Sequence, residues 1–156
     1  METVDARPTA VVVVRFGGSR YALPMSAVAE VGRPPALTRV PGLPAWVAGV
    51  ANWRGRVLAV VDLGLLLAVD APAGGRHARV VVLSRSGITL GLLTAGVDGT
   101  AELADAELEP TLAHLPDVTR GLLLGQVTDL RGPVGMLDLD AIFGLAEGLP
   151  RPRRAG

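Results

Sequence analysis

Gly49-Val50-Ala51-Asn52-Trp53-Arg54-Gly55-Arg56-Val57-Leu58-Ala59-Val60-Val61-Asp62-Leu63 sets polar side chains and a tryptophan on a turn, immediately ahead of a strongly apolar strand. Asn52 can bond its own backbone there, Gly55 tolerates positive φ, and Arg54 offers a planar fork of donors between them. Such a turn presents a rigid surface. The apolar stretch Val57–Val69 contains Asp62 and falls short of the roughly 20 apolar residues that a membrane-spanning helix needs. It reads as a buried strand followed by a turn, without direct membrane insertion.

Outward from this stretch, short runs rich in β-branched residues alternate with glycine, proline or aspartate turns from end to end. The pattern predicts strands near 10–16, 19–24, 36–40, 56–62, 79–84, 88–93, 96–103, 120–128 and 133–138. Gly17-Gly18, Ser86-Gly87 and Arg131-Gly132 are the tight connections. Helical turns are predicted at Ser26–Val31 with Ser26 as N-cap, at Pro44–Val47, and at Leu139–Ala146 after Asp138. The fold class is therefore all-β with small helical interruptions. Residues 70–78, Asp-Ala-Pro-Ala-Gly-Gly-Arg-His-Ala, form the clearest loop, and two lobes are expected to meet near it. Lobes this small bury too little surface alone and should share an apolar interface.

Composition narrows the function. All 15 basic residues are arginine and balance 15 acidic ones, which disfavours a broad cationic face for nucleic acid. With aromatics at 3%, an RNA-binding small barrel also lacks stacking platforms. The absence of cysteine removes thiolate chemistry and disulfides together. Glu2 and Asp5 precede any apolar stretch, and the valine run at 11–14 is too short for a signal-peptide core, so nothing reads as exported. No metal or cofactor site is expected: His77 and His114 lie in predicted loops without metal-ligand spacing, and no lysine exists to serve a phosphate loop or a Schiff base. A hydrolase built on Asp62, Asp138 or Asp140 with an arginine is the catalytic alternative. Against it, Asp138 as an N-cap and Asp140 as a first-turn acid are explained by helix chemistry alone.

The segment 49–63 resembles the Gly-Val-x-Asn-hydrophobic-Arg-Gly, apolar strand, Asp-Leu signature of CheW-like adaptor domains. Phe16–Pro24 resembles the family's opening hairpin, Val28–Val31 its Val-x-Glu-Val turn, Gly91–Gly99 its second-lobe strand and turn, and Leu137–Asp140 its closing Leu-Asp-Leu-Asp. The similarity spans about residues 10–146, with 1–9 and 147–156 as flexible termini. Trp53 departs from the usual aliphatic residue of the signature.

This resemblance implies two small five-stranded β-barrel lobes sharing an apolar interface, with short helical turns and a C-terminal helix. It implies a cytoplasmic, non-catalytic adaptor that couples the cytoplasmic tip of a chemoreceptor to the regulatory domain of a CheA-like histidine kinase. A non-motility chemosensory pathway, or kinase docking without a receptor, stays open. Glu30 and Arg54 stand at the family's acidic and arginine positions and are expected to form an ion pair bracing a receptor-facing groove. Val28, Gly49 and Val50 would line that groove, with Asn52, Trp53 and Gly55 completing the docking turn and Gly49 kept small to admit a partner helix. Read as residues alone, Val28 and Val50 fit a plain core equally well. Trp53 would be a contact anchor if exposed and packing if buried.

Overall fold

A computed structural model describes residues 9–149 apart from 17, 70–74, 105–107, 111–114 and 116. The expectations placed on His114, on Gly17 and on the termini at 1–8 and 150–156 lie outside the described residues. Among the described residues the strands are β1 (Thr9–Phe16), β2 (Ser19–Pro24), β3 (Val28–Gly32), β4 (Val47–Trp53), β5 (Arg56–Asp62), β6 (Arg79–Arg85), β7 (Ile88–Thr94), β8 (Gly96–Leu103), β9 (Leu123–Asp129) and β10 (Gly132–Leu137). The helices are short: α1 (Leu63–Leu66), α2 (Asp117–Gly121) and α3 (Leu139–Glu147).

The run Val11-Val12-Val13-Val14 shows how the molecule is layered. Successive residues of a strand point to opposite faces, yet all four are buried. Val11 and Val13 pack with Ala22, Leu103, Val127, Val134 and Met136. Val12, Val14 and Phe16 pack instead with Val81, Leu83, Leu90 and Leu92. The inner strand β6 repeats this division, with Val80 and Val82 against Leu58 and Val60 and with Val81 and Leu83 in the other cluster. Each sheet therefore covers a small core of its own with one face and meets the other sheet with its second face, which is the shared apolar interface that small lobes need.

The sheets are five-stranded and mixed, in the orders β8-β1-β2-β10-β9 and β3-β6-β7-β5-β4. They follow one plan. Each has an antiparallel central hairpin, then a parallel pair (β2 with β10, β7 with β5), then a second hairpin leading into a capped helix. Gly49 and Gly125 occupy equivalent places, as do Asp62 and Asp138, whose side chains accept the Leu65 and Ala141 N–H groups at the starts of α1 and α3. Buried Thr119 of α2 ties the two halves together by donating its hydroxyl to the Leu67 carbonyl at 2.7 Å.

Several local expectations are corrected. Residues 36–40 form no strand; only Thr38 pairs, as a single bridge with Val50. The helical turn placed at Ser26–Val31 is a 3-10 turn over Met25–Ala27 followed by β3, and Ser26 is not its cap. At 44–47 the chain makes a turn closed by the Val47 N–H donating to the Pro44 carbonyl at 3.0 Å, and β4 starts there because its N–H and C=O groups find β5. Residues 117–121 are helical, so β9 begins only at Leu123. The meeting of lobes expected near 70–78 falls partly outside the described residues; β5 and β6, on either side, belong to the same sheet, and the chain passes between sheets at β2–β3 and again at β7–β8.

At Gly125 φ is +155°, and an added Cβ would lie 2.5 Å from the Glu109 carbonyl oxygen, which pairs with Gln126. Gly125→Ala should lose about 1–3 kcal/mol of unfolding free energy. Gly144, on the exposed side of α3 with open space around it, should gain up to about 1 kcal/mol as alanine. Urea denaturation of the two variants checks both signs.

Candidate functional site

The β4–β5 hairpin closes through two residues with positive φ, Arg54 at 52° and Gly55 at 77°, the handedness that matches the twist of the flanking strands. Asn52 locks it by accepting the Gly55 N–H at 3.0 Å. Arginine is an unusual choice in this conformation, and it fixes where the guanidinium leaves the backbone.

Glu30 comes from β3, at the opposite edge of the same sheet from β4. Its Oε2 accepts two hydrogen bonds, from the Trp53 indole Nε1 at 2.6 Å and from Arg54 Nε at 3.2 Å. One carboxylate oxygen thus links the two outer strands of a five-stranded sheet. The Arg54 guanidinium also stands over the Trp53 ring, 5.4 Å from its centroid, within the range of cation–π attraction. Arg54 is 70% exposed and Glu30 36%. The hydrogen bond from Arg54, followed by that from Trp53, holds the Glu30 carboxyl below its ordinary range, against a smaller opposing effect of burial.

The structure gathers Glu30, Trp53 and Arg54 at the hairpin tip, with Asn52 and Gly55 forming the turn beneath them. Trp53 is half-buried, and its polar edge is engaged. Val28 is half-buried against the shared core. Gly49 is buried for a reason internal to the chain: a Cβ there would lie 2.7 Å from the Thr38 carbonyl oxygen, which accepts the Val50 N–H at 2.9 Å. Its smallness thus admits the chain's own backbone.

A second braced hairpin escaped the sequence reading. Arg20 of β2 donates twice to Asp129, at 3.0 and 2.5 Å, and once to the Gly132 carbonyl at 3.1 Å. Asp129 also accepts the Arg131 N–H. The hydrogen bond from Arg20 holds the Asp129 carboxyl below its ordinary range, and the same bond raises Arg20. The aspartate before a Leu-Arg-Gly turn was the available signal; its distant partner was not legible. Two clefts were missed as well. One, of about 380 Å³, lies where the sheets meet, between Pro24, Ala27, Arg85, Leu124 and Leu137. The other, of about 800 Å³, lies along 37–48 beside Leu65 and Leu93.

The carboxylates considered for catalysis have structural partners. Asp62 and Asp138 cap helices, and exposed Asp140 pairs with Arg85. His77 is exposed. Among the described residues no three potential ligands gather closely enough to hold a metal ion, and no helix is long and apolar enough to cross a membrane.

The profile of the CheW-like domain matches residues 10–147. The chain belongs to the CheW-like domain family. It is 31% identical over 134 residues to the chemotaxis protein CheW of Rhizobium meliloti, covering 85% of each chain. It is 38% identical over 85 residues to the protein PilI of Pseudomonas aeruginosa, 54% of this chain but only 48% of PilI. The crystal structure of the scaffolding protein TtCheW from Thermoanaerobacter tengcongensis superposes with a TM-score of 0.75 at 20% identity, covering 84% of this chain and 89% of that one. That last likeness concerns the fold, and the mixed two-sheet arrangement described above is the CheW-like one.

Because the folded-state Glu30 carboxyl lies below its unfolded value, its pairing stabilises the fold at pH above the ordinary glutamate range, about 4.3, and the contribution is lost as pH falls through the folded value. Arg54→Ala should raise the Glu30 titration midpoint toward that ordinary value, followed by carboxyl chemical shifts in NMR. An unchanged midpoint would mean that the pair does not persist in solution.

Proposed function

We propose that this chain is a cytoplasmic, non-catalytic adaptor that joins the cytoplasmic tip of a chemoreceptor to the regulatory domain of a CheA-like histidine kinase. The observation that carries the reading is the CheW-like match over nearly the whole chain, together with similarity to a chemotaxis protein CheW over 85% of each chain. The geometry supports binding as the chemistry at hand. The hairpin tip is pre-organised by Asn52, Gly55 and the Glu30 carboxylate, and a pre-formed surface loses little entropy on docking. The charged tip suits a polar contact, while the cleft at the sheet junction offers apolar walls to an amphipathic receptor helix.

In this reading each sheet curls into a small barrel. The Glu30 bonds across the two edges of the second sheet, and the bridges of Thr38 to β4 and of Glu109 to β9, support it. Val28, Glu30, Gly49, Val50, Asn52, Trp53, Arg54 and Gly55 form the docking region, in which Glu30 and Trp53 support Arg54 as the outermost group of the tip and Gly49 and Val50 hold β4 in place. A second reading, the same adaptor role in a chemosensory pathway with an output other than motility, is favoured by the similarity to PilI.

The direct test mixes the purified protein with a soluble receptor-tip fragment and with the kinase regulatory domain. Binding to at least one is expected, with Arg54→Ala about tenfold weaker at nearly unchanged thermal stability. Failure of the wild type to bind either at high micromolar concentration would sink the adaptor reading.

A further inference from the structure

We propose that Trp53 is a positioning residue of the docking tip: its indole N–H fixes the Glu30 carboxylate, which holds Arg54 end-on so that the two terminal guanidinium nitrogens receive a carboxylate of the bound protein. This rests on the adaptor reading for the existence of a partner, but its first half concerns the free protein.

Four observations carry it. Trp53 Nε1 and Arg54 Nε converge on the same Glu30 oxygen, so the indole removes the freedom of the carboxylate to swing with the arginine. The tryptophan ring lies under the guanidinium and restricts it from a second direction. Arg54 spends only Nε on Glu30, and among the described residues no hydrogen bond or ion pair engages its Nη1 and Nη2. The positive φ at Arg54 and Gly55 anchors the backbone beneath. The product is a planar, outward-facing pair of donors at a highly exposed position, which matches a carboxylate bidentately.

The same geometry excludes a simpler role for Trp53. A hydrophobic anchor would present its ring to the partner, whereas this ring is half-buried beneath Arg54 and its one polar group is used inside the tip. An aliphatic residue, usual at this place in the signature that the chain resembles, could fill similar space but donate nothing. Glu30 offsets the charge of Arg54, so attraction to an acidic group is short-range and directional.

The test has two parts. In proton–nitrogen NMR spectra of the free protein, the indole signals of Trp46 and Trp53 are assigned with Trp46→Phe. Glu30→Gln should move the Trp53 signal upfield and leave that of Trp46 in place; an unmoved Trp53 signal overturns the positioning role. Binding is then measured to whichever of the receptor-tip fragment and kinase regulatory domain the wild type recognises. Trp53→Phe keeps an aromatic ring under the cation but lacks the donor, and should bind about fivefold more weakly while remaining folded at the assay temperature, with at most a small loss of thermal stability. Arg54→Lys, which keeps charge without the fork, should bind as weakly as Arg54→Ala. Neutralising one acidic partner residue should weaken wild type but not Arg54→Ala. Wild-type affinity in Trp53→Phe or Arg54→Lys, or no coupled acidic residue in the partner, overturns the proposal. A wild type that binds neither partner overturns the adaptor reading and the carboxylate contact with it, while the indole signal still decides the positioning half.

Discussion

Burial of both faces of each sheet is the constraint on which the rest of the structure depends. A sheet of five short strands with one wet face would bury too few side chains to be stable alone. Here the inner faces form two small cores, around Val127 and Val134 in one sheet and around Val60 and Val80 in the other, and the outer faces merge into one cluster from Val12 to Phe143. The central strands must then be apolar on consecutive residues, hence Val11–Val14 and Val80–Leu83. Continuous apolar runs are the usual mark of parallel sheets covered on both sides; in this chain antiparallel central hairpins carry it because a second sheet takes the place of covering helices.

That constraint also explains what was legible in the sequence. Strands at the centre of either sheet, β1, β2, β6 and β7, stood out because both their faces are apolar, and β5 did so for the same reason. Of the outer strands, β8 and β9 of the first sheet were read, the latter three residues too long at its start, but those of the second sheet were not. β4 carries Gly49, Asn52 and Trp53, and β3 carries Glu30, because these edges face polar groups and each other; their composition reads as turn. The bridges of Thr38 and Glu109 are single backbone pairings to which side chains contribute no pattern. The repeated plan went unread: Gly49 and Asp62 recur as Gly125 and Asp138 at the same separation, but two shared residues acquire meaning only once the strand pairings are placed.

For the tip of the β4–β5 hairpin the division is different. Asn52 and Gly55 announced a turn through local chemistry, and the turn is there. The Glu30–Arg54 pairing came from resemblance to CheW-like domains; no local rule joins residues on strands at opposite edges of a sheet. The part played by Trp53 was hidden more deeply. Tryptophan is usually judged by its area, and the choice between anchor and packing left out its single N–H. Once β3 and β4 are placed, that donor has one nearby acceptor, and half-burial follows from reaching it.

Edge strands expose unpaired backbone groups that invite unwanted pairing, and the second sheet answers this differently along β4. One end is covered by the Thr38 backbone, for which Gly49 must have no side chain. The other end is held to β3 by the Glu30 carboxylate, using donors from Trp53 and Arg54. Covering an edge with backbone leaves nothing to recognise. Fastening it with side chains leaves the outer half of the guanidinium unspent among the described residues, which is what the proposed docking contact draws on. The chain carries no formal net charge, so a contact of the kind proposed would draw on short-range geometry more than on overall charge. The groups that keep the sheet from pairing indiscriminately are the groups left to pair with discrimination.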